Sequence, residues 1–183
     1  MKSALFIDRD NTLVYDESFM SRPEQIRLLP GAAEAVKMAS AYFRLYLMTN
    51  QSGIGRGFFK MEDAVACNNR MFELLDLPPP GFHGVCIAPD APGEPVIYRK
   101  PSPRYIIETI ERDGLEPELC YMIGDRITDL KSGLNAGINS ILINDKTGAW
   151  DEKAQAFAEE HSISVYRSVY DAVIALLQDV PKA

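Results

Sequence analysis

The sequence predicts an α/β fold: a three-layer, Rossmann-like parallel sheet with helices on both faces, built as one domain over residues 1–183. Three observations carry this expectation. Short apolar runs alternate with stretches of helical periodicity from end to end, as a parallel sheet with helical crossovers requires. The runs are apolar throughout, as in strands buried on both faces. Finally, 183 residues with 46% hydrophobic and 25% charged content suffice for one full core and are too few for two large ones.

The elements follow in order. Ser3 to Asp8 reads as the first strand, an apolar run that ends on a carboxylate. Pro30-Gly31 opens a helix running to about Tyr42, with Ala32, Ala35, Val36 and Ala39 on one face. Arg44 to Met48 is the second strand. A helix follows over Lys60 to Leu75, with Met61, Ala64, Val65, Met71, Leu74 and Leu75 at helical spacing, and the run Leu77-Pro78-Pro79-Pro80-Gly81 stops it. His83 to Ala88 is the third strand, and the proline-rich segment 89–95 is a loop. Ser102 as N-cap with Pro103 at the first helical position opens a helix that ends near Gly114. Leu119 to Ile123 is the fourth strand, Ile127 to Ala136 a helix stopped by Gly137, and Asn139 to Ile143 the fifth strand. A helix over Asp151 to His161, a strand over Ile163 to Tyr166 and a closing helix over Ser168 to Gln178 complete the chain. In that last helix Val169, Val173, Ile174, Leu176 and Leu177 read as core, and Trp150 reads as a packing anchor in a loop.

Composition narrows the function. A net charge of −7 argues against general nucleic-acid affinity, which needs a basic surface. No apolar run reaches membrane-spanning length, and Met1-Lys2-Ser3 leads into the first strand without a leader pattern. The three cysteines, Cys67, Cys86 and Cys120, are odd in number and far apart; they read as core hydrophobes in a reducing, cytoplasmic setting. His83 and His161 sit away from every motif singled out below.

Four clusters lie at strand or helix ends. Asp8-Arg9-Asp10-Asn11-Thr12 closes the first strand with two carboxylates spaced i, i+2. Such acids repel each other and resist desolvation unless a cation joins them; hard oxygen ligands suit Mg²⁺. One acid can then act as nucleophile and the other as proton carrier. Thr49-Asn50-Gln51-Ser52-Gly53 follows the second strand and offers a hydroxyl and backbone N–H groups to a phosphate. Arg99-Lys100-Pro101 places two cations at a helix entry, which favours an anion. Gly124-Asp125-Arg126-Ile127-Thr128-Asp129 puts a second acid pair at the fourth strand's end, where Asp125 would meet Asp8 and Asp10 if those strands are neighbours. Each cluster alone also reads as an ordinary capped turn or solvated pair, and Asp125 also as a helix N-cap. Their conjunction, in one workable order, points to a single phosphate site.

That order resembles the haloacid dehalogenase superfamily of aspartyl-phosphate phosphohydrolases. The stretches Asp8 to Thr12, Thr49 to Gly57, Arg99-Lys100-Pro101 and Gly124-Asp125-Arg126 are similar to its histidinol-phosphatase and D-glycero-D-manno-heptose-1,7-bisphosphate 7-phosphatase branch. The resemblance implies that Asp8 is the nucleophile and Asp10 the general acid and base. It implies that Asp8, the backbone carbonyl of Asp10 and Asp125 hold Mg²⁺, and that Thr49 and Lys100 stabilise phosphoryl oxygens. Asp16, Phe19, Asn50, Gln51, Ser52, Arg99 and Arg126 are expected to contact substrate, and Asp129 to orient Lys100 or a metal-bound water. Asn11 stands where glycine is commoner, and asparagine tolerates a left-handed backbone better than most residues.

Two departures matter. Branch members often hold zinc in the third-strand loop; here the corresponding positions are Ala88, Asp90, Val96 and Tyr98, none of them Cys or His, so no zinc is expected. The gaps from Asp10 to Thr49 and from Asn50 to Lys100 are too short for a lid, so the site is expected to be open, without a cap domain. The expected partner is a small phosphorylated metabolite, first a heptose bisphosphate, then histidinol phosphate, met by a monomer. A nucleic-acid 3′-phosphatase, a phosphotransferase and a non-catalytic phosphate binder are the alternatives. The transferase would need to exclude water, and the binder is disfavoured because Asp8, Asp10, Thr49, Lys100 and Asp125 are all present.

Overall fold

The computed structural model describes residues 1–91, 93, 96–145 and 151–179. Its centre is a six-stranded, all-parallel sheet. The strands are β1 (Ala4–Ile7), β2 (Arg44–Asn50), β3 (Gly84–Ala88), β4 (Cys120–Gly124), β5 (Asn139–Ile143) and β6 (Ser164–Tyr166), in the order β3-β2-β1-β4-β5-β6. The chain therefore reverses direction across the sheet at β1, and the crevice at the carboxyl ends of β1, β2 and β4 is where a doubly wound sheet binds ligands.

Side chains alternate across the strands with period two. Leu5, Ile7, Leu45, Leu47, Ile123, Ile141 and Ile143 point to one core, packed with α1 (Ala32–Ala39), α2 (Met61–Leu75) and α6 (Val169–Asp179). Ala4, Phe6, Tyr46, Met48 and Met122 point to the other, against α3 (Arg104–Asp113). A third cluster joins Leu142 and Leu130 to Ala154 and Ala158, and so packs β5 with α4 (Ile127–Asn135) and α5 (Glu152–Glu160). Both faces are covered and no inserted domain interrupts the described residues, so the sheet has the three layers expected of it. All three cysteines are buried and free.

Several boundaries differ from expectation. β2 runs two residues further than predicted, so Thr49 and Asn50 are its last residues and not the first of a loop. α1 stops at Ala39, with Ser40 as its cap, short of Tyr42. At α3 the cap is Pro103 and the helix starts at Arg104; the Ser102 hydroxyl donates to the Ile97 carbonyl (2.7 Å), which ties the preceding loop down, and accepts a long bond from Arg104 N–H (3.4 Å). In α2, Val65 is exposed while Asn68 is buried, because a polar partner beneath β1 claims the inward position. Val169 and Val173 of the closing helix are buried, with Leu176 and Leu177 packed on the same core. Trp150 lies outside the described residues. Among those residues no helix is long and apolar enough to cross a membrane.

Candidate active site

Asp8 sits one residue past β1, and its backbone N–H still donates to the Ile123 carbonyl of β4 (2.9 Å). This pairing puts the ends of β1 and β4 side by side. Carboxylate oxygens of Asp8, Asp125 and Asp129 consequently lie within 4.8 Å of one another, all three residues buried. The turn after Asp8 is tight: the Arg9 carbonyl accepts from Leu13 N–H (2.9 Å) and Val14 N–H (3.1 Å), and Asn11 takes a left-handed φ of 55°. The tolerance of asparagine for that region is used here.

Lys100 enters this acid cluster from the far side of the sheet's end. Its ammonium donates to Asp8 Oδ1 (2.5 Å) and to the Met48 carbonyl (2.9 Å), and it pairs with Asp129 Oδ1 (2.5 Å). Two of its protons thus go to Asp8 and the Met48 carbonyl, and the contact with Asp129 is an ion pair. Asn50 fixes the lysine's backbone from β2: Lys100 N–H donates to Asn50 Oδ1 (2.9 Å) and Asn50 Nδ2 donates to the Lys100 carbonyl (3.2 Å). Asp129 is held by its second oxygen, which accepts from Arg126 N–H (2.9 Å). Asp125, read from the sequence as a possible N-cap, does not cap α4; Arg126 is the cap residue and Asp129 reaches back to it. Gly124 makes this possible, because a Cβ there would overlap the Asp129 carboxylate.

The charges are far from balanced. Burial pushes the Asp8 carboxyl up to about 7; the neighbouring Lys100 pulls it down, while Asp129 and Asp10 push it up. Burial, with Asp8 and Asp129 beside it, pushes Asp125 up to about 8. Burial alone would lower the Lys100 ammonium, but Asp129 and Asp8 overcome it and hold it above the ordinary lysine range. Asp125 Oδ1 is buried without a hydrogen-bond partner. An orphaned oxygen facing two more carboxylates is the donor set a hard divalent cation needs, so these residues fit Mg²⁺.

The cleft above this cluster has a volume of about 470 Å³. Asp8, Asp10 and Lys100 line it, as do Asp16, Phe19, Asn50, Gln51, Ser52, Arg99, Arg126 and Asp129. Two expected residues lie beneath its surface. Thr49 is 1% exposed, its hydroxyl accepting from Gln51 Nε2 (2.8 Å), and Asp125 is 5% exposed. The amide of Asn50, expected on the substrate, is spent on the Lys100 backbone. Arg99 donates to the Asp90 carbonyl (2.9 Å), and Arg126 pairs loosely with Asp16 (3.5 Å) and Asp125 (3.8 Å). At the rim, Phe19 meets Phe58 edge-to-face with centroids 4.8 Å apart. Ser18, within the stretch Asp16 to Phe19 expected to line the substrate, also belongs to the cleft, as do Arg9, Arg56, Thr128 and Asp151, which were not expected to contact substrate. Arg56 lay within a motif already noted, but only the turn that folds residues 51–58 back over the sheet's end brings it to the cleft.

Known proteins agree with this reading. A family model described as HAD-hydrolase-like matches residues 97–172. A D-glycero-D-manno-heptose-1,7-bisphosphate 7-phosphatase from Chlorobaculum tepidum is 33% identical over 200 residues, covering 99% of this chain and 98% of that protein. The histidine biosynthesis bifunctional protein HisB of Legionella pneumophila is 31% identical over 181 residues, 96% of this chain and 51% of that protein. Among solved structures, the D,D-heptose 1,7-bisphosphate phosphatase of B. bronchiseptica, complexed with magnesium and phosphate, has the same fold. Its TM-score is 0.86 at 24% identity, covering 98% of this chain and 100% of that one. Apolar strand ends, converging carboxylates and near-full-length likeness lead to one assignment: this chain is a phosphatase of the haloacid dehalogenase superfamily, in the histidinol-phosphatase and heptose-bisphosphate 7-phosphatase branch.

Proposed function

We propose that the protein is a Mg²⁺-dependent phosphomonoesterase that works through a phosphoryl-aspartate on Asp8 and removes the 7-phosphate of D-glycero-D-manno-heptose 1,7-bisphosphate. The observation that carries the chemistry is the convergence of Asp8, Asp125, Asp129 and Lys100 at adjacent strand ends. Asp8 attacks phosphorus in line, an Asp8 oxygen–phosphorus bond forms, and the bond to the sugar oxygen breaks. Asp10 gives its proton to that departing oxygen, then takes one from the water that attacks phosphorus and frees Asp8. Lys100 stabilises the phosphoryl oxygens, Asp129 keeps it aimed at Asp8, and Thr49, whose hydroxyl accepts from Gln51 and so keeps its own proton to donate, assists from beneath the cleft. Asp8, the Asp10 carbonyl and Asp125 would hold Mg²⁺, which supplies charge neutralisation between the attacking carboxylate and the phosphate dianion. No zinc is involved: the positions Ala88, Asp90, Val96 and Tyr98 carry no soft ligand.

Two features support the bisphosphate. The Chlorobaculum relative matches along nearly its whole length. Arg56, Arg99 and Arg126 line the same cleft as Lys100, which suits a second phosphate. Histidinol phosphate remains the second reading because HisB is also a relative. Inorganic phosphate release across a panel of sugar phosphates and histidinol phosphate tests both; a higher kcat/KM for histidinol phosphate would reverse their order. Chelation by EDTA is expected to stop release, Mg²⁺ alone to restore it, and added zinc to be unnecessary.

The acid cluster also sets a pH dependence. Asp8 and Asp125 bind protons more tightly in the folded metal-free chain, near 7 and 8, than at the ordinary value of 3.8 in the unfolded one. Their contribution to stability is therefore full below about pH 4 and is lost as pH rises through about 7 to 8. Mg²⁺ needs both carboxylates ionised, so it binds more tightly as pH rises across the same window. Thermal unfolding at pH 6 and pH 8.5 is expected to show a larger Mg²⁺-induced rise in Tm at the higher pH. An equal rise at both would contradict it.

A further inference from the structure

Arg9 has no task in the mechanism above, yet among the described residues it is the largest fully buried side chain, 1% exposed, at the floor of the cleft. The period of β1 explains its position. Leu5 and Ile7 point to the α2 side of the sheet, and Arg9, next in that alternation, points there too. Its guanidinium grips the neighbouring carboxylate with two parallel bonds, Nε to Asp10 Oδ1 (3.0 Å) and Nη2 to Asp10 Oδ2 (3.2 Å). Its third nitrogen, Nη1, donates to Asn68 Oδ1 on α2 (3.0 Å), a residue 2% exposed. Gln51 Nε2 adds a further bond to Asp10 Oδ2 (2.9 Å). Both oxygens of Asp10 are thus held from behind, while the carboxylate keeps one side on the cleft.

We propose that Arg9, braced by Asn68 and assisted by Gln51, is the residue that positions the Asp10 carboxylate for proton transfer. Stability does not account for the pair, because a buried ion pair can commonly be replaced by an apolar side chain of similar volume at little loss. Geometry does: a planar fork fixes a carboxylate's plane and direction, whereas a lysine would offer a point charge and no direction. The proposal rests on the reading of Asp10 as proton carrier.

Leaving groups separate this role from a structural one. A sugar alkoxide needs a proton in order to leave; 4-nitrophenolate does not. kcat/KM reports the steps through departure of the leaving group. Arg9→Met is expected to lower kcat/KM about 10²-fold for the alkyl phosphate turned over best, and less than about threefold for 4-nitrophenyl phosphate. With the aryl ester kcat still falls, because Asp10 must deprotonate water in the second step. Equal losses on both esters, or no loss on either, would overturn the proposal. If Arg9→Met does not fold, the comparison is made with Arg9→Lys, which keeps the buried charge and loses the fork; the same split supports the proposal and its absence overturns it. Asp10→Asn is the control for the parent reading. If it shows the split and the Arg9 variants do not, positioning by Arg9 fails alone. If Asp10→Asn shows no split, the assignment of Asp10 fails and this proposal falls with it.

Discussion

Replacing Asp8 by Asn is expected to reduce phosphate release by on the order of 10⁴-fold or more while leaving the fold intact. An amide is nearly the same shape but cannot attack phosphorus as a carboxylate does. Asp8 is buried among Asp125, Asp129 and Lys100, so its loss removes a repelling charge from the acid cluster, and Lys100 keeps Asp129 and the Met48 carbonyl as partners. Circular dichroism should therefore be native and the metal-free Tm within a few degrees of wild type. The Mg²⁺-induced rise in Tm should shrink, because one of the ion's carboxylates is gone. Retained turnover would remove Asp8 from the nucleophile's role.

Lys100→Met is expected to damage both activity and folding, and that combination is its signature. Lys100 is 3% exposed, and its ammonium joins Asp8 to Asp129. Removing it leaves two buried carboxylates facing each other without a cation, at a cost of about 3–5 kcal/mol. In a chain of this size that corresponds to a fall in Tm on the order of 10 °C. The fall should be smaller at pH 5 than at pH 8, because Asp8, pushed up to about 7, is protonated at the lower pH. Activity should fall about 10²- to 10³-fold through loss of phosphoryl stabilisation. A variant that loses activity with an unchanged Tm would show that the lysine touches substrate only and does not hold the acids together.

The fold was legible because the central strands β1, β2 and β4 are apolar runs ending in a turn or an acid, as parallel strands buried on both faces require, whereas the edge strands β3 and β6 are only partly buried. The acids were legible for the same reason: Asp8 and Asp125 follow apolar strands directly, so they had to emerge at the sheet's end once β1 and β4 were neighbours. Residues whose role depends on a distant partner were harder to read. Arg9 stands between two conspicuous acids, but its burial is decided by Asn68, 59 residues away on another element. Asn50 and Gln51 read as phosphate-facing polar groups until Lys100 and Asp10 were seen to occupy their amides. The Ser102-Pro103 pair carries a good helix-entry signal, yet the serine hydroxyl spends its proton on the Ile97 carbonyl (2.7 Å) and accepts only a long bond from Arg104 N–H (3.4 Å), so the cap position falls to Pro103. Local preference suggested these partners, and tertiary contacts overrode it.

Everything in the mechanism turns on a covalent bond between Asp8 and the substrate's phosphorus. Acid quenching during turnover of a phosphorylated substrate with Mg²⁺, followed by peptide mass spectrometry, tests this most directly. One added phosphoryl group is expected on the peptide containing Asp8, labile to hydroxylamine and missing in Asp8→Asn. A phosphoryl group found on another residue, or turnover with no phosphorylated peptide under conditions that trap the intermediate in a related phosphatase, would contradict it.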